Sequence, residues 1–386
     1  MFRYYIKVFG CPMRGVEAER VHRYFKANGG KPSDRKNADV IMIFGCSIVE
    51  TTNAITMDYI KATDNDKQRI IISGCSPVMS QQEIRSFFKG ELLVSSQLDK
   101  IDNLFPDFRL PFEDIPLPAK SHKNLEYNTF YLNQFKQYQK PRLLNFHLSP
   151  QLIITSHGCP NACTYCTVRM AMGKLKSYSI SRIENTYKTA LEKNQQVFVF
   201  NGDDTGAYGL DIQSSFDELM LHLDNITPKE KYVRWAIDNL HPRWLLKYQN
   251  SFRKLVEKKR IVDMIVPFQA ASDTLLKRMR RNYNIQDVIS VLKTLKALNP
   301  ELKLTSHFMF GFPGETNEDI QAIKTIIDQN VFSHFVLLRY FESPMAESYK
   351  MTPKIPVKKI QKDMQEIEKY ILDKGFICQM TDYTGD

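Results

Sequence analysis

An α/β fold in two parts follows from three observations. Short apolar runs alternate with helix-patterned segments along most of the chain, the pattern of parallel strands joined by crossover helices. A proline-rich stretch around residues 100–150 interrupts that alternation once. After the break the units are longer and more numerous. The expectation is an N-terminal doubly wound parallel sheet followed by a partial (β/α)6 barrel, which suits a chain of 386 residues.

The first three strands are expected in "YYIKVFG", "DVIMIFG" and "RIIISG". Between the first two, "GVEAERVHRYFKANGG" reads as a helix with a glycine stop. Each strand runs into a Gly-Cys pair: Gly10-Cys11, Gly45-Cys46 and Gly74-Cys75. Open parallel sheets bind ligands beyond the carboxyl ends of their strands. Three cysteines distant in sequence are therefore expected at one sheet edge. "IDNLFPDFRLPFEDIPLPAKSHK" has too many prolines for a regular helix and reads as a linker. The barrel strands are expected in "QLIITS", "VFVFNG", "YVRWAI", "VDMIVPFQ", "LKLTSHFMFG" and "HFVLLRY". "SRIENTYKTALEKN" and "DVISVLKTLKAL" are among the helices between them. The expected boundaries are 1–100 for the first domain, 101–150 for the linker, 151–350 for the barrel, and 351–386 for a last helix and tail.

Lys+Arg number 53 against Asp+Glu 43, a net charge of +10. Such a balance favours nucleic acid or an acidic peptide as partner, although it equally describes a solvated face. The basic runs "KLVEKKR", "LKRMRR" and "KIPVKKIQK" are short and dispersed, and each reads as the polar side of a helix. "MFRYYIKVFG" has no signal-peptide core, and no apolar run is long enough for a bilayer. The expectation is a soluble cytoplasmic protein with no membrane partner. In that compartment seven cysteines argue for metal ligation or thiol chemistry rather than disulfides.

"SHGCPNACTYC" places Cys159, Cys163 and Cys166 at C-x3-C-x2-C, with Tyr165 before the last, in the loop after the first barrel strand. Cubane iron–sulfur clusters normally take four thiolates. Three local ones leave an iron open, and an open position marks a catalytic site rather than a structural one. Zinc fits poorly, because His157 precedes the run and no histidine stands at finger spacing.

C-x3-C-x-aromatic-C resembles the signature of radical S-adenosylmethionine (SAM) enzymes, which share a partial six-stranded barrel. The resemblance implies that Cys159, Cys163 and Cys166 hold a [4Fe–4S] cluster whose open iron chelates SAM, giving a 5′-deoxyadenosyl radical on reduction. It narrows to the methylthiotransferases and spans Cys11 to about residue 350. Cys11, Cys46 and Cys75 resemble that family's ligands to an auxiliary [4Fe–4S] cluster carrying the transferred sulfur. "GDDTGAYG" (202–209), "PFQAASDTLLKRMRR" (267–281) and "GFPGET" (311–316) are similar to further family segments. "DDTGAYG" leans toward the branch that modifies threonylcarbamoyladenosine in tRNA. The resemblance also implies a low-potential electron donor such as flavodoxin or ferredoxin.

Further candidates for cofactor binding are Tyr165, Asp203, Asp204, Asn239, Gln269, Ser272, Gly311, Pro313 and Gly314. Several have a structural alternative. Gly311, Pro313 and Gly314 also suit a tight strand-to-helix turn, and Ser272, Asp273, Asp203 and Asp204 also suit helix caps. His241 is a weaker candidate, and Cys378 reads as a bystander thiol.

The chain departs from the family at Met172, Tyr178 and Glu342, where arginines are usual, and at His307, where an aspartate is usual. It stops at Asp386, about where a C-terminal TRAM domain would begin. A chain without that domain has less surface to grip RNA. The expectation is methylthiolation of a peptide or protein side chain, with a tRNA adenosine as the close alternative. A thioether-forming peptide enzyme and a non-catalytic iron–sulfur protein are the remaining readings.

Overall fold

A computed structural model describes residues 1–9, 12–47, 50–64, 67–116, 126–127 and 151–381. Among these, two compact units form: residues up to 127 with Thr167–Gly173, and residues 151–166 with 174–381.

In the first unit, the apolar runs become β1 (Arg3–Val8), β3 (Val40–Gly45) and β4 (Arg69–Gly74), crossed by α1 (Pro12–Ala27) and α2 (Glu50–Thr63). The short strands β2 (Lys31–Pro32), β5 (Glu91–Leu92) and β6 (Glu126–Tyr127) complete a parallel sheet of order β2-β1-β3-β4-β5, with β6 on β1. Every residue of β3 is buried, as a central parallel strand requires. Its alternate side chains enter two cores. Val40, Met42 and Phe44 face α1, where Val21, Tyr24 and Phe25 pack. Ile41 and Ile43 face the opposite layer with Met57, Ile60, Ile84 and Phe88. That two-sided burial is the doubly wound arrangement.

The linker expected from residue 101 begins instead as part of this unit. Ile101, Phe105, Phe112 and Ile115 are buried in the α1-side core. The prolines limit the segment to 3-10 turns, Ser95–Leu104 and Phe112–Asp114. Arg20 on α1 ties them down by donating to the carbonyls of Phe112 (2.7 Å) and Ile115 (3.1 Å). Residues 117–125 and 128–150 of the expected linker lie outside the described residues.

The second unit has β7 (Gln151–Ile154), the small antiparallel pair β8 (Ser156–His157) and β9 (Lys176–Ser177), β10 (Val197–Asn201), β11 (Arg234–Ile237), β12 (Ile261–Ile265), β13 (Lys303–Phe310) and β14 (His334–Arg339). All six expected barrel strands are present. The sheet, however, has seven parallel strands, in the order β15-β14-β13-β12-β11-β10-β7. The seventh, β15 (Ile377–Thr381), comes from the stretch expected to be a tail. It pairs in register with β14 from His334↔Ile377 to Leu338↔Thr381. The last helix, Val357–Asp373, buries Ile360, Met364, Ile367 and Ile371 on the sheet and returns the chain parallel to β14. The barrel unit therefore extends past the expected limit at 350. Among the described residues no helix is long and apolar enough to cross a membrane.

Candidate functional site

Two sets of cysteines are placed by strand ends. In the first unit, Gly45 and Gly74 are register partners on β3 and β4, so Cys46 and Cys75 leave the sheet side by side. The Cys75 N–H donates to the Gly45 carbonyl at 2.9 Å. Both glycines are required. A Cβ on Gly74 would sit 2.3 Å from the Gly45 carbonyl oxygen, and one on Gly45 would sit 2.4 Å from Ser76 Oγ. Cys46 and Cys75 are buried, and Ser47 Oγ donates to Ser76 Oγ beside them at 2.9 Å. The segment Val168–Met172 packs Ala171 and Met172 against Cys75. Met172, where an arginine is usual, is thus an apolar cover for that residue. Cys11 lies outside the described residues.

In the second unit, the loop after β7 carries Cys159, Cys163 and Cys166, all half-buried. Hydrogen bonds from every side fix its shape. The Gly158 N–H donates to Asp203 Oδ2 at 2.7 Å. Asn161 Nδ2 donates to Asp204 Oδ2 at 2.6 Å and to Cys159 Sγ at 3.3 Å. Thr164 donates through its backbone N–H to the Met279 carbonyl at 3.2 Å and through Oγ1 to the Arg278 carbonyl at 3.0 Å. Its own carbonyl accepts from Ser348 N–H at 2.9 Å. The Cys166 N–H closes the loop onto the Cys163 carbonyl at 3.1 Å.

Asp203 and Asp204, both expected at the site, lie beside the cysteine loop. Asp204 is buried and also accepts from Trp244 Nε1 at 2.8 Å. Burial raises its pKa, which the bonds from Trp244 and Asn161 oppose. Burial, then the field of Asp204, pushes the Cys159 thiol up to about 12. Asn239 has a left-handed φ of 52° and donates to the Gly202 carbonyl at 3.2 Å. Gln269 has φ 73° and exchanges backbone bonds with His307 and Met309 on β13. Non-glycine residues at such φ values are strained, and strain of this kind clusters at functional sites. Tyr165 meets Arg281 Nη1 through its hydroxyl at 3.1 Å.

Other expected residues are accounted for structurally. Ser272 Oγ caps a helix by accepting from Leu275 N–H, and it donates to Asp319. Its hydroxyl is therefore engaged in capping rather than aimed at a ligand. Gly311 and Gly314 have φ of 87° and 80°. A Cβ on Gly311 would meet Ile360 and one on Gly314 would meet Arg278, while the Pro313 carbonyl accepts from Arg278 Nη2 at 2.9 Å. These contacts satisfy the tight-turn alternative. His241 caps the following helix through Nδ1 and is held neutral, chiefly by burial. Cys378 is on β15, its thiol pushed up to about 12 by burial. Glu342 pairs with Lys354 at 3.1 Å, and Tyr178 is bonded to His157 Nε2 at 2.9 Å.

Asn161, Asn201, Trp244 and Arg281 were not singled out by sequence. Asn161 sits inside the cysteine motif, so its position was a usable signal. Arg281 sits in "LKRMRR", expected to be a polar helix face, yet it is only 5% exposed.

The residues present fit an iron–sulfur cluster and a donor-rich ligand. Thiolates are a soft set suited to iron–sulfur. Among the described residues no three His, Cys, Asp or Glu side chains are gathered to hold a single metal ion; a cubane spreads its thiolates over different irons. The buried guanidinium of Arg281 lies 3.9 Å from Cys163 Sγ, where a cluster would bring negative charge. Asn201 Oδ1, Asp204 Oδ1 and Gln269 Oε1, all near carboxyl ends of barrel strands, are buried acceptors without a partner among the described residues. Buried acceptors of this kind need donors, and SAM offers an ammonium and ribose hydroxyls.

Comparison with known proteins agrees with this geometry. Residues 153–326 match the radical SAM superfamily and residues 3–95 match a family described as uncharacterized protein family UPF0004. The fold is shared with the radical SAM methyltransferase TsrM of Kitasatospora setae, at a TM-score of 0.63 and 10% identity over 90% of this chain and 76% of that one. Fold and site together define a radical SAM protein. The human threonylcarbamoyladenosine tRNA methylthiotransferase is 24% identical over 350 residues, 90% of this chain and 58% of its own length. A probable threonylcarbamoyladenosine tRNA methylthiotransferase of Pyrococcus abyssi is 27% identical over 358 residues, 92% of this chain and 80% of its own. The chain thus spans a little over half the length of the human relative. It carries a radical SAM segment and is similar over most of its length to these methylthiotransferases.

Proposed function

We propose that this chain inserts a methylthio group at an unactivated C–H of a tRNA adenosine of the threonylcarbamoyl type. The observation that carries the reading is the placement of a cysteine set at the carboxyl ends of strands in each of two parallel sheets. When bound, the two clusters and SAM supply the radical that opens the C–H bond and the sulfur that replaces the hydrogen. The chain's own residues hold and orient. Asp203 anchors Gly158, Asn161 ties Cys159 to Asp204, and Asn201, Asp204 and Gln269 would offer acceptors to the ammonium and hydroxyls of SAM. The relatives' names favour the tRNA substrate over the peptide expected from the sequence. A net charge of +10 suits a polyanion.

A peptide substrate remains the second reading on one observation. Glu342, where an arginine is usual, is an acid paired with Lys354, a change that removes a positive contact from that position. Anaerobically reconstituted protein with SAM and reductant, offered tRNA with and without the threonylcarbamoyl group beside candidate peptides, decides between the two. Mass spectrometry of nucleosides and peptides should find the methylthio group on the modified adenosine. A methylthio group on peptide alone would transfer the proposal to the second reading.

A further inference from the structure

Arg281 is a buried cation with no carboxylate hydrogen-bonded to it among the described residues. Its Nη2 donates to the Pro267 carbonyl at 2.5 Å, at the end of β12. Its Nη1 donates to Tyr165 Oη at 3.1 Å and lies 3.9 Å from Cys163 Sγ, and its Nε has no partner among the described residues. The Tyr283 ring lies 5.7 Å from centroid to guanidinium. Asp204 and His241 feel its charge, but neither is hydrogen-bonded to it among the described residues.

The backbone delivers Arg281 to this place. The helix Asp273–Arg278 ends in a Schellman turn: Arg280 N–H donates to the Lys277 carbonyl at 3.0 Å, Arg281 N–H to the Leu276 carbonyl at 2.8 Å. Arg280 takes the left-handed position at φ 54°. Such a turn suits glycine, yet here it holds an arginine that pairs outward with Glu347. The following residue is turned inward.

A buried guanidinium is always charged, and leaving that charge uncompensated is costly. Here the thiol nearest to it, Cys163, would become an anionic neighbour on binding iron. We propose that Arg281 positions the cysteine loop and sets the reduction potential of the cluster held by Cys159, Cys163 and Cys166. The proposal rests on the reading of that loop as a cluster site. One electron enters from a low-potential one-electron donor, the cluster gains one negative charge, and the fixed positive charge beside Cys163 stabilises that reduced state. No bond to Arg281 forms or breaks, and its protons stay in place.

The test uses the full chain with Cys11→Ala, Cys46→Ala and Cys75→Ala, so that one cluster reports. Arg281→Met, Arg281→Gln and Arg281→Lys are compared in that background by iron content, circular dichroism and redox titration followed by electron paramagnetic resonance. The neutral variants should have a lower potential, with the reduced-to-oxidised ratio at fixed poise falling about tenfold, or about 59 mV for a one-electron couple. The lysine variant should recover most of the shift. If the neutral variants fold but take up no iron while lysine does, the charge requirement is upheld in a stronger form. An unchanged potential in both neutral variants overturns the proposal, as does a lysine variant no better than they are. Absence of a cluster in the Arg281 parent would instead refute the underlying site reading.

Discussion

Gly74 shows how one residue fixes the position of a thiol. Its φ of 89° lies where only glycine is comfortable, and a Cβ there would stand 2.3 Å from the Gly45 carbonyl oxygen. Gly29 has a similar φ of 83° but open space around it. Gly74→Ala is therefore expected to cost on the order of 3 kcal/mol or more, strain plus a backbone clash. Gly29→Ala should cost about 1–2 kcal/mol, strain alone. Urea unfolding of the two variants measures the difference, and equal losses would mean that the Gly45–Gly74 approach is not the constraint. At this scale the sequence revealed the cysteines, because thiols are rare and their spacing is chemical. It hid Arg281, because a one-dimensional pattern does not say which way a helix end turns. The Schellman turn at Arg280 sends one arginine of "RR" to Glu347 and the other into the core.

The loop between β13 and the helix Asn317–Asp328 carries a carboxyl group with an unusual titration. Glu315 is buried, and burial raises its pKa from 4.5 to about 8, against the Gly311 N–H bonded to Oε2 at 2.6 Å. Asp319 and Asp363 push it further up and Lys359 pulls it down. Between 4.5 and about 8 the folded chain keeps a proton that the unfolded chain has released. Stability from this group is full below 4.5, falls as pH rises through that interval, and levels off above about 8. The loss is on the order of a few kcal/mol, at about 1.4 kcal/mol per pKa unit. Glu315→Gln keeps an acceptor for Gly311 and cannot ionise, so thermal unfolding between pH 5 and 8 should have a flatter slope in the variant. A slope identical to the parent's would show that Glu315 is already charged at pH 5. Elements were legible in sequence where apolar period and length agreed, as in "DVIMIFG" and "DVISVLKTLKAL". β15 was not, because "ICQMT" has too little pattern of its own. Its pairing is set by β14 and the long amphipathic helix before it.

At the scale of the whole molecule, the two cysteine sets belong to two sheets with separate cores, so their metal loads should be separable. Cys46 and Cys75 depend on the Gly45–Gly74 register, whereas Cys159 and Cys163 depend on Asn161, Thr164 and Arg281. None of the second group lies on the first sheet. Reconstituted protein should approach about eight iron per chain, twice the load of one cubane. Alanine at Cys159, Cys163 and Cys166 should leave about four iron and abolish deoxyadenosine formation. Alanine at Cys11, Cys46 and Cys75 should also leave about four, yet retain SAM cleavage while no sulfur enters the product. The two variants would then have the same iron content and opposite chemistry, a pairing that a single shared cluster cannot give. Iron analysis beside chromatographic assay of deoxyadenosine and of thiolated product reads both. Loss of nearly all iron in either variant would mean that the six thiols form one interdependent site.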